Sequence, residues 1–194
     1  MDFSITNYMK TQVTNNQGQW PRVKVFSSSA AMEFLINLND AEGEGNKEKS
    51  FISMVVANAD GAGGYHWDTA EAIRLKLSQT EVMSLTSVFL RIKVEHKIEK
   101  RKTAHHSSPA YKNIRISPNP LESGLLLNAG IVFTEKTPVS KNISYRLPVT
   151  EMDCVRVGLF LLGYLTEVTP MVSSDAIITA LRLSETRSSK LRPD

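Results

Sequence analysis

Short segments with alternating apolar and polar residues recur along the chain, separated by segments rich in glycine, serine or charge. Residues 71–78 alternate most cleanly, because Ile73, Leu75 and Leu77 point to one face and polar residues to the other. Such segments are typical of strands with one buried face. Together with the mainly apolar runs, they predict strands at 22–26, 30–38, 50–59, 71–78, 111–117, 124–134 and 142–149.

Two longer segments instead carry apolar residues at helical spacing. The first follows Ser78, and Glu81 stands three positions later, which fits an N-terminal capping box, although Thr80 is an alternative cap. The second begins at Thr150, has Asp153 at the same position relative to its cap, and extends to about residue 168. The predicted strands are therefore interrupted twice by a helix.

One short phrase occurs twice, seventy positions apart. The phrase "SQTEVMSL" begins at Ser78 and "PVTEMDCV" begins at Pro148, which places Thr80 on Thr150. In both copies an alternating run precedes the phrase and a mostly apolar run follows it. The doubling predicts two units of the same design, each a meander of strands followed by one helix.

This order of elements predicts an α+β fold, in which two packed antiparallel sheets lie on one side and helices on the other. A last short helix is predicted at 173–183, before a polar, basic tail. The predicted organisation is a flexible N-terminal arm at 1–20, one domain at 21–169 made of repeats at about 21–105 and 106–169, and a C-terminal helix and tail at 170–194.

The second helix is apolar on nearly all sides, which indicates burial on more than one face. A small domain covers one face of such a helix with its own sheet. The other face then needs a partner, most simply another copy of the chain. We expect Val155, Leu159 and Leu162 to form the core of this oligomer.

Composition changes this picture little. The 194 residues are 41% hydrophobic and 22% charged, with a net charge of +3 and a pI of about 9.0, which permits an anionic partner without requiring one. The single cysteine, Cys154, excludes a disulfide framework and a thiol metal cluster. No apolar run approaches the about 20 residues of a membrane span, and the N-terminus resembles no signal or transit peptide. We therefore expect a cytoplasmic protein, or a mature chain without its targeting segment, and no membrane partner.

Cations and aromatic residues share the polar faces of several predicted strands. Arg22, Lys24 and Phe26 lie on one face of the first strand, and this combination suits single-stranded nucleic acid. An ordinary solvated face explains this first group equally well. On the other strands each group alone is more typical of plain surface, but the repetition across strands favours binding. The candidate nucleic-acid-binding residues are Arg22, Lys24, Phe26, Tyr65, Trp67, Arg74, Lys76, Tyr111, Lys112, Arg115 and Arg146.

Tyr65 and Trp67 lie in a glycine-rich turn, "DGAGGYHWDT". Large aromatic side chains are costly to expose, and stacking on bases is one purpose they serve. The alternative is that Trp67 folds back as a hydrophobic plug.

A basic stretch from Arg91 to Lys102 holds six Lys or Arg residues and two Glu. It could follow phosphates with salt-dependent affinity. The simpler interpretation is a solvated helix face or loop, which attracts anions without a fixed contact.

An enzyme is the contrasting interpretation. Asp60, His66 and Asp68 are close in sequence and could hold a cation for nuclease chemistry. The "DGAGG" turn lacks the Lys-Ser/Thr ending of a phosphate loop, and neither a nucleophile elbow nor a Cys/His pair is evident. We expect no catalysis, no metal and no cofactor.

Five stretches, in order, resemble the Whirly family of single-stranded DNA-binding proteins. They are "KVFSSSAAMEF", then "YHWDTAEAIRLKLSQTEVM", and finally "KNIRIS", "GLLLNAGIVF" and "YRLPVTEMDCVRVGLFLLGYL". The resemblance covers about residues 20 to 168. It depends on order and spacing rather than on any one motif.

The resemblance implies a homotetramer with the helices at its centre and single-stranded DNA along the sheet edges. The fold is shared with kinetoplastid mitochondrial RNA-binding proteins, so it also implies RNA as a ligand. Ser27, Ser28 and Ser29 replace the family's Lys-Gly-Lys, which puts tight binding and higher assembly in doubt. The organelle address of plant members is absent too, so we expect a bacterial, phage or plasmid origin.

Three hypotheses follow. The first is a non-catalytic single-stranded DNA-binding protein with little sequence preference, acting in DNA replication, repair, recombination or transfer. The second is an RNA-binding or strand-annealing protein of the same fold. The third is a structural assembly protein whose doubled units serve oligomerisation alone.

Overall fold

Alternation in the N-terminal half produces an antiparallel sheet of four strands. The computed structural model describes residues 21–38, 50–105, 108–134 and 142–190. Strands β1 to β4 pair in chain order, and helix α1 follows them. These elements are Arg22–Phe26, Ala30–Leu38, Ser50–Asn58, Ile73–Lys76 and, for α1, Gln79–Phe89.

The C-terminal half repeats this plan and adds one helix. Strands β5 to β8 form a second four-stranded antiparallel sheet, again in chain order, and helices α2 and α3 follow. The α+β prediction is thus confirmed. The elements are His96–His105, Ser108–Pro118, Leu125–Phe133, Ile143–Val149 and, for the two helices, Glu151–Val168 and Ser174–Lys190.

Both predicted N-caps are present. The Ser78 side chain accepts a hydrogen bond from the Glu81 backbone while the Glu81 carboxylate accepts one from the Ser78 backbone, which completes a capping box. The Thr150 hydroxyl accepts from the backbone N–H of Asp153. These bonds satisfy N–H groups that have no partner within the helix.

The caps correct the register of the doubled phrase. Because Ser78 and Thr150 are equivalent caps, equivalent positions lie 72 residues apart rather than seventy. At this offset Leu77 corresponds to Val149, and both side chains are buried. The alignment of Thr80 on Thr150 was therefore two positions out, although the repeat itself exists in the fold.

The basic stretch is a loop only in its first half. Its second half forms β5, which pairs with β6 in the second sheet and has an irregularity between Ile98 and Arg101. The second sheet thus begins at His96 rather than at the predicted boundary of about residue 106. The C-terminal helix, at Ser174–Lys190, is longer than the predicted 173–183. The predicted N-terminal arm lies outside the described residues.

The inner faces of both sheets and the helices share one hydrophobic core. The Phe34 ring on β2 contacts the Phe89 ring of α1 edge to face, with centroids 5.9 Å apart. Helices α1 and α2 approach closely at Gly158, where an added Cβ would lie 2.6 Å from Leu90 Cδ2. The outer faces of the sheets are left to make other contacts.

Candidate nucleic-acid interface

The pairing register gathers the cations of the first sheet on its outer face. Lys24 stands beside Glu33 on β2, Glu33 beside Val55 on β3, and Val55 beside Arg74 on β4. The next row carries Arg22 at one end and Lys76 at the other. Since strand side chains alternate between faces, all of these point away from the core.

Three aromatic rings form a continuous row on this face. The Phe26 ring centroid lies 5.3 Å from that of Tyr65, and the Tyr65 centroid lies 5.9 Å from that of Trp67. The Tyr65 hydroxyl donates a 2.6 Å hydrogen bond to the Ser27 carbonyl, which holds the turn against β1. Phe26 is 55% exposed. Trp67 contacts this outer row instead of entering the core as a plug.

Two lysines lie over aromatic rings. Lys24 Nζ is 4.5 Å from the centre of the Trp67 ring, and Lys76 Nζ is 4.1 Å from the centre of the Phe51 ring. Such cation–π contacts fix a charge beside a flat apolar surface. Phe51 was not among the sequence candidates. The sequence could have indicated it, because Phe51 is next to the buried Ile52 in β3 and therefore points to the opposite, outer face.

Carboxylates hold some of these cations in place. Glu33 is 8% exposed and lies 3.4 Å from the Arg22 guanidinium and 3.5 Å from Lys24 Nζ. Arg74 pairs with Asp68 at 3.1 Å and also donates to the Trp67 carbonyl. The carboxylates therefore position the cations before any ligand binds. They also neutralise part of the positive charge.

The outer face of the second sheet carries an equivalent row. Lys97 stands beside Arg115, Arg115 beside Asn128, and Asn128 beside Arg146. Lys97 and Arg115 both contact Glu95, at 3.0 and 2.8 Å. Hydrogen bonds from Lys97 and then Arg115 lower the pKa of Glu95, so that it stays ionised. Tyr111 lies on the same face by parity.

Lys112 departs from the prediction, because it has the parity of buried Ile114 and faces the first sheet. Its Nζ donates a 2.9 Å hydrogen bond to the Arg74 carbonyl on β4. The guanidinium of Arg101 donates similarly to the Lys76 carbonyl at 2.7 Å. We call the line of contacts formed by Arg74, Lys76, Arg101 and Lys112 the seam, since it joins β4 to the second sheet.

The predicted oligomer residues divide between two faces of α2. Val155 is 47% exposed and Leu159 is 58% exposed, and Met152 extends the same apolar stripe at 70%. Leu162 is only 7% exposed because its own chain already covers it. Leu162 therefore belongs to the protomer core, and its assignment to an oligomer core was wrong.

The residues of the nuclease alternative make other contacts. Asp60 accepts hydrogen bonds from the backbone N–H groups of Ala62 and Gly64, which lower its pKa. Asp68 pairs with Arg74. Within the described ranges no group of His, Cys, Asp and Glu side chains could hold a metal ion. No helix in that part of the chain is long and apolar enough to cross a membrane.

Comparisons with known proteins identify the fold. No family model and no curated protein matches the sequence. The plant transcriptional regulator PBF-2 is similar with a TM-score of 0.55 at 16% identity, over 90% of this chain and 88% of that one. WHY1 from Arabidopsis thaliana is similar with a TM-score of 0.56 at 16% sequence identity, over 76% of this chain and 90% of that one. WHY3 from the same plant is similar with a TM-score of 0.56 at 14% sequence identity, over 86% of this chain and 97% of that one. The chain therefore has a Whirly-like fold, as its element order implied.

Proposed function

We propose that this protein binds single-stranded nucleic acid, principally DNA, with little sequence preference and without catalysis. The observation that carries the proposal is the row Phe26, Tyr65 and Trp67, bordered by cations on the outer face of the first sheet. The Whirly-like fold supports it. DNA replication, repair, recombination or transfer are the processes that would use such a protein.

The aromatic row explains binding without sequence choice. Every base has a flat apolar face, and stacking one base on an aromatic side chain contributes about 1–3 kcal/mol. In a duplex these faces are already stacked on each other. The row therefore favours single strands, whose bases are free to turn toward Phe26 and Trp67.

The cations supply the second component of binding. Lys24 and Arg74 contact Trp67, and Arg22 and Lys76 lie on the next row of the same face. These cations can approach the phosphates of a strand whose bases contact the aromatic rings. Phosphate contacts release counterions, so affinity should fall as salt rises. The second sheet adds Tyr111, Arg115 and Arg146 on its own outer face. These predicted residues are retained in the proposed site.

We include a homotetramer in the proposal. The stripe of Met152, Val155 and Leu159 lies on the exposed side of α2, while the opposite side packs into the protomer. Exposed apolar side chains at helical spacing are expected at a protein interface. Packing α2 helices of several copies together would leave the outer faces of the sheets accessible to nucleic acid.

Fluorescence anisotropy with labelled DNA, RNA and duplex DNA of matched sequence, about 30 nucleotides long, tests the proposal. Single-stranded DNA should bind most tightly, and its affinity should weaken between low and high salt. Tighter binding of RNA would favour the RNA-binding alternative. Equal binding of all three would reduce the site to nonspecific attraction. No binding at low salt would contradict the proposal and leave assembly as the function of the doubled units.

A further inference from the structure

The seam closes the edge of β4 with cations. Among the described strands none pairs with the outer edge of β4, and its carbonyls at Arg74 and Lys76 accept hydrogen bonds from Lys112 and Arg101. Backbone carbonyls are neutral, so these bonds satisfy the donors without balancing their charge. The contact between the two sheets thus concentrates positive charge at one place.

One of the two cations has a counter-charge. Arg101 pairs with Glu81. Burial tends to raise the pKa of Glu81, but hydrogen bonds from Arg101 and Ser78 outweigh it and lower that pKa. The carboxylate is therefore ionised at neutral pH, and it neutralises Arg101.

Lys112 has no such balance. It is half-buried, and among the described residues no carboxylate lies within ion-pair distance of it. Burial, then the nearby charges of Arg101 and Arg74, lower the pKa of Lys112. A partly buried ammonium beside two further cations is costly unless an anion completes the site.

We propose that the seam binds a phosphate of the nucleic-acid backbone, with Lys112 as its principal contact. The inference rests on the proposed function and deepens it. An ammonium group has three hydrogen-bond donors. Lys112 uses one of them on the Arg74 carbonyl, which leaves the other two for a phosphate. The ammonium of Lys76, which lies over the Phe51 ring and has no carboxylate partner in the described part of the chain, is on the row next to that of Arg74.

The position of the seam favours a backbone phosphate. Arg74 belongs to both surfaces: its carbonyl receives Lys112, while its guanidinium contacts the Trp67 carbonyl at the end of the aromatic row. A strand whose bases stack on Trp67 would therefore have a phosphate within reach of the seam. Free inorganic phosphate has the same chemistry, so the test has to separate the two sources.

Lysine footprinting on the full chain provides the first arm. Lysines are acetylated with a limiting reagent and quantified by mass spectrometry, with an oligothymidine, with inorganic phosphate, or with neither. The oligonucleotide should protect Lys112 several-fold. Lys93 is a matched control, because it is also partly buried but contacts Glu185 at 3.6 Å on α3. Its reactivity should not change.

The salt dependence of binding provides the second arm. Each phosphate contact on a single strand contributes about 0.7 to the slope of log affinity against log salt. Lys112→Met should reduce the slope by about that amount, and Lys112→Arg should retain it. Arg182→Met, which removes one charge from the exposed side of α3, is the control. Thermal melting verifies that each variant folds.

The outcomes are distinguishable. If the wild type binds single strands but Lys112 stays reactive and Lys112→Met behaves like Arg182→Met, the seam inference is wrong while the proposed function stands. Protection by inorganic phosphate but not by the oligonucleotide would overturn the backbone assignment. Failure of the wild type to bind any single strand would overturn the proposed function, and this inference with it.

Discussion

The ammonium of Lys24 lies 4.5 Å above the centre of the Trp67 ring, which joins the edge strand β1 to the turn before β4. The contact places a positive charge at the border of an aromatic surface made by Phe26, Tyr65 and Trp67. A base stacked on the ring would have its phosphate near that charge. In the proposed site, binding by stacking and binding by charge are therefore coupled at one point of the fold.

Trp67→Ala should weaken binding of single-stranded DNA by about 1–3 kcal/mol, because it removes one stacking surface and frees Lys24. Trp67→Phe keeps a ring in the same place and should lose much less. Anisotropy titrations at one fixed salt concentration measure both variants. Equal losses in the two would show that stacking on this ring does not contribute.

Glu33→Gln should strengthen binding. The carboxylate neutralises part of the charge of Arg22 and Lys24, and a unit charge about 7 Å from a phosphate in water is worth about 0.6 kcal/mol. We expect about a threefold gain in affinity at low salt, with a lower melting temperature because a buried partner of two cations is lost. Glu122→Gln removes the same charge from an exposed loop and is the control. A gain no larger than that of the control would contradict the expectation.

Leu159→Glu should dissociate the proposed homotetramer. Leu159 is 58% exposed on α2, and each leucine buried at an interface contributes about 1.5–3 kcal/mol. Leu121→Glu is the matched control, since Leu121 is 83% exposed in the loop between β6 and β7. Light scattering after size exclusion should give a smaller mass for Leu159→Glu and the wild-type mass for Leu121→Glu. An unchanged mass for both would exclude this stripe as the interface.

Stability should fall as the pH drops below about 6.5, because of His96. Burial, then the charge of Lys93, lower the pKa of His96, and Glu81 opposes them only in part. The Ser84 hydroxyl lies 2.9 Å from His96 Nδ1 and accepts a hydrogen bond from Lys93 Nζ at 3.2 Å, so a protonated ring would stand close to the Lys93 ammonium. Protonation of the ring disrupts this arrangement.

The sign follows from proton binding. Below about pH 6.5 the unfolded histidine takes up a proton while the folded one does not, so stability is lost until the pH reaches the lowered folded pKa. Glu167 acts oppositely, because burial raises its pKa and proton uptake then favours the folded state. Urea unfolding from pH 7.5 to about pH 5 measures the net effect. His96→Gln should flatten the curve and His66→Gln, at an exposed site, should not. Parallel curves for all three proteins would contradict this role.

The local features of the fold could be predicted from the sequence. The capping residues Ser78 and Thr150 each determine where a helix begins through hydrogen bonds to a residue three positions later. Because these partners are close in sequence, the helix starts could be predicted without the tertiary structure. The alternation around Lys24 and Arg74 likewise places them on one face. What brings them into one row is the pairing register, which depends on residues far apart in sequence.

Strand β5 and the seam could not be predicted in the same way. Strand β5 has so many charged residues that an alternation of apolar and polar positions is not visible in its sequence. The irregularity between Ile98 and Arg101 also shifts which residues point to each face of the sheet. The parity of Lys112 with Ile114 was visible, but only the neighbouring sheet supplies the Arg74 carbonyl that holds it. Leu162 was misassigned because α2 is apolar on both sides, and only tertiary packing decides which side the protomer buries.

Photocrosslinking of the full chain to an oligonucleotide that carries 5-iodouracil tests the central claim most directly, because this base couples to nearby aromatic side chains. After digestion, mass spectrometry identifies the residues that are joined to the strand. We expect crosslinks at Phe26, Tyr65 and Trp67, on the outer face of the first sheet. Tight binding with crosslinks confined to α3 or to the exposed side of α2 would contradict this location of the binding site.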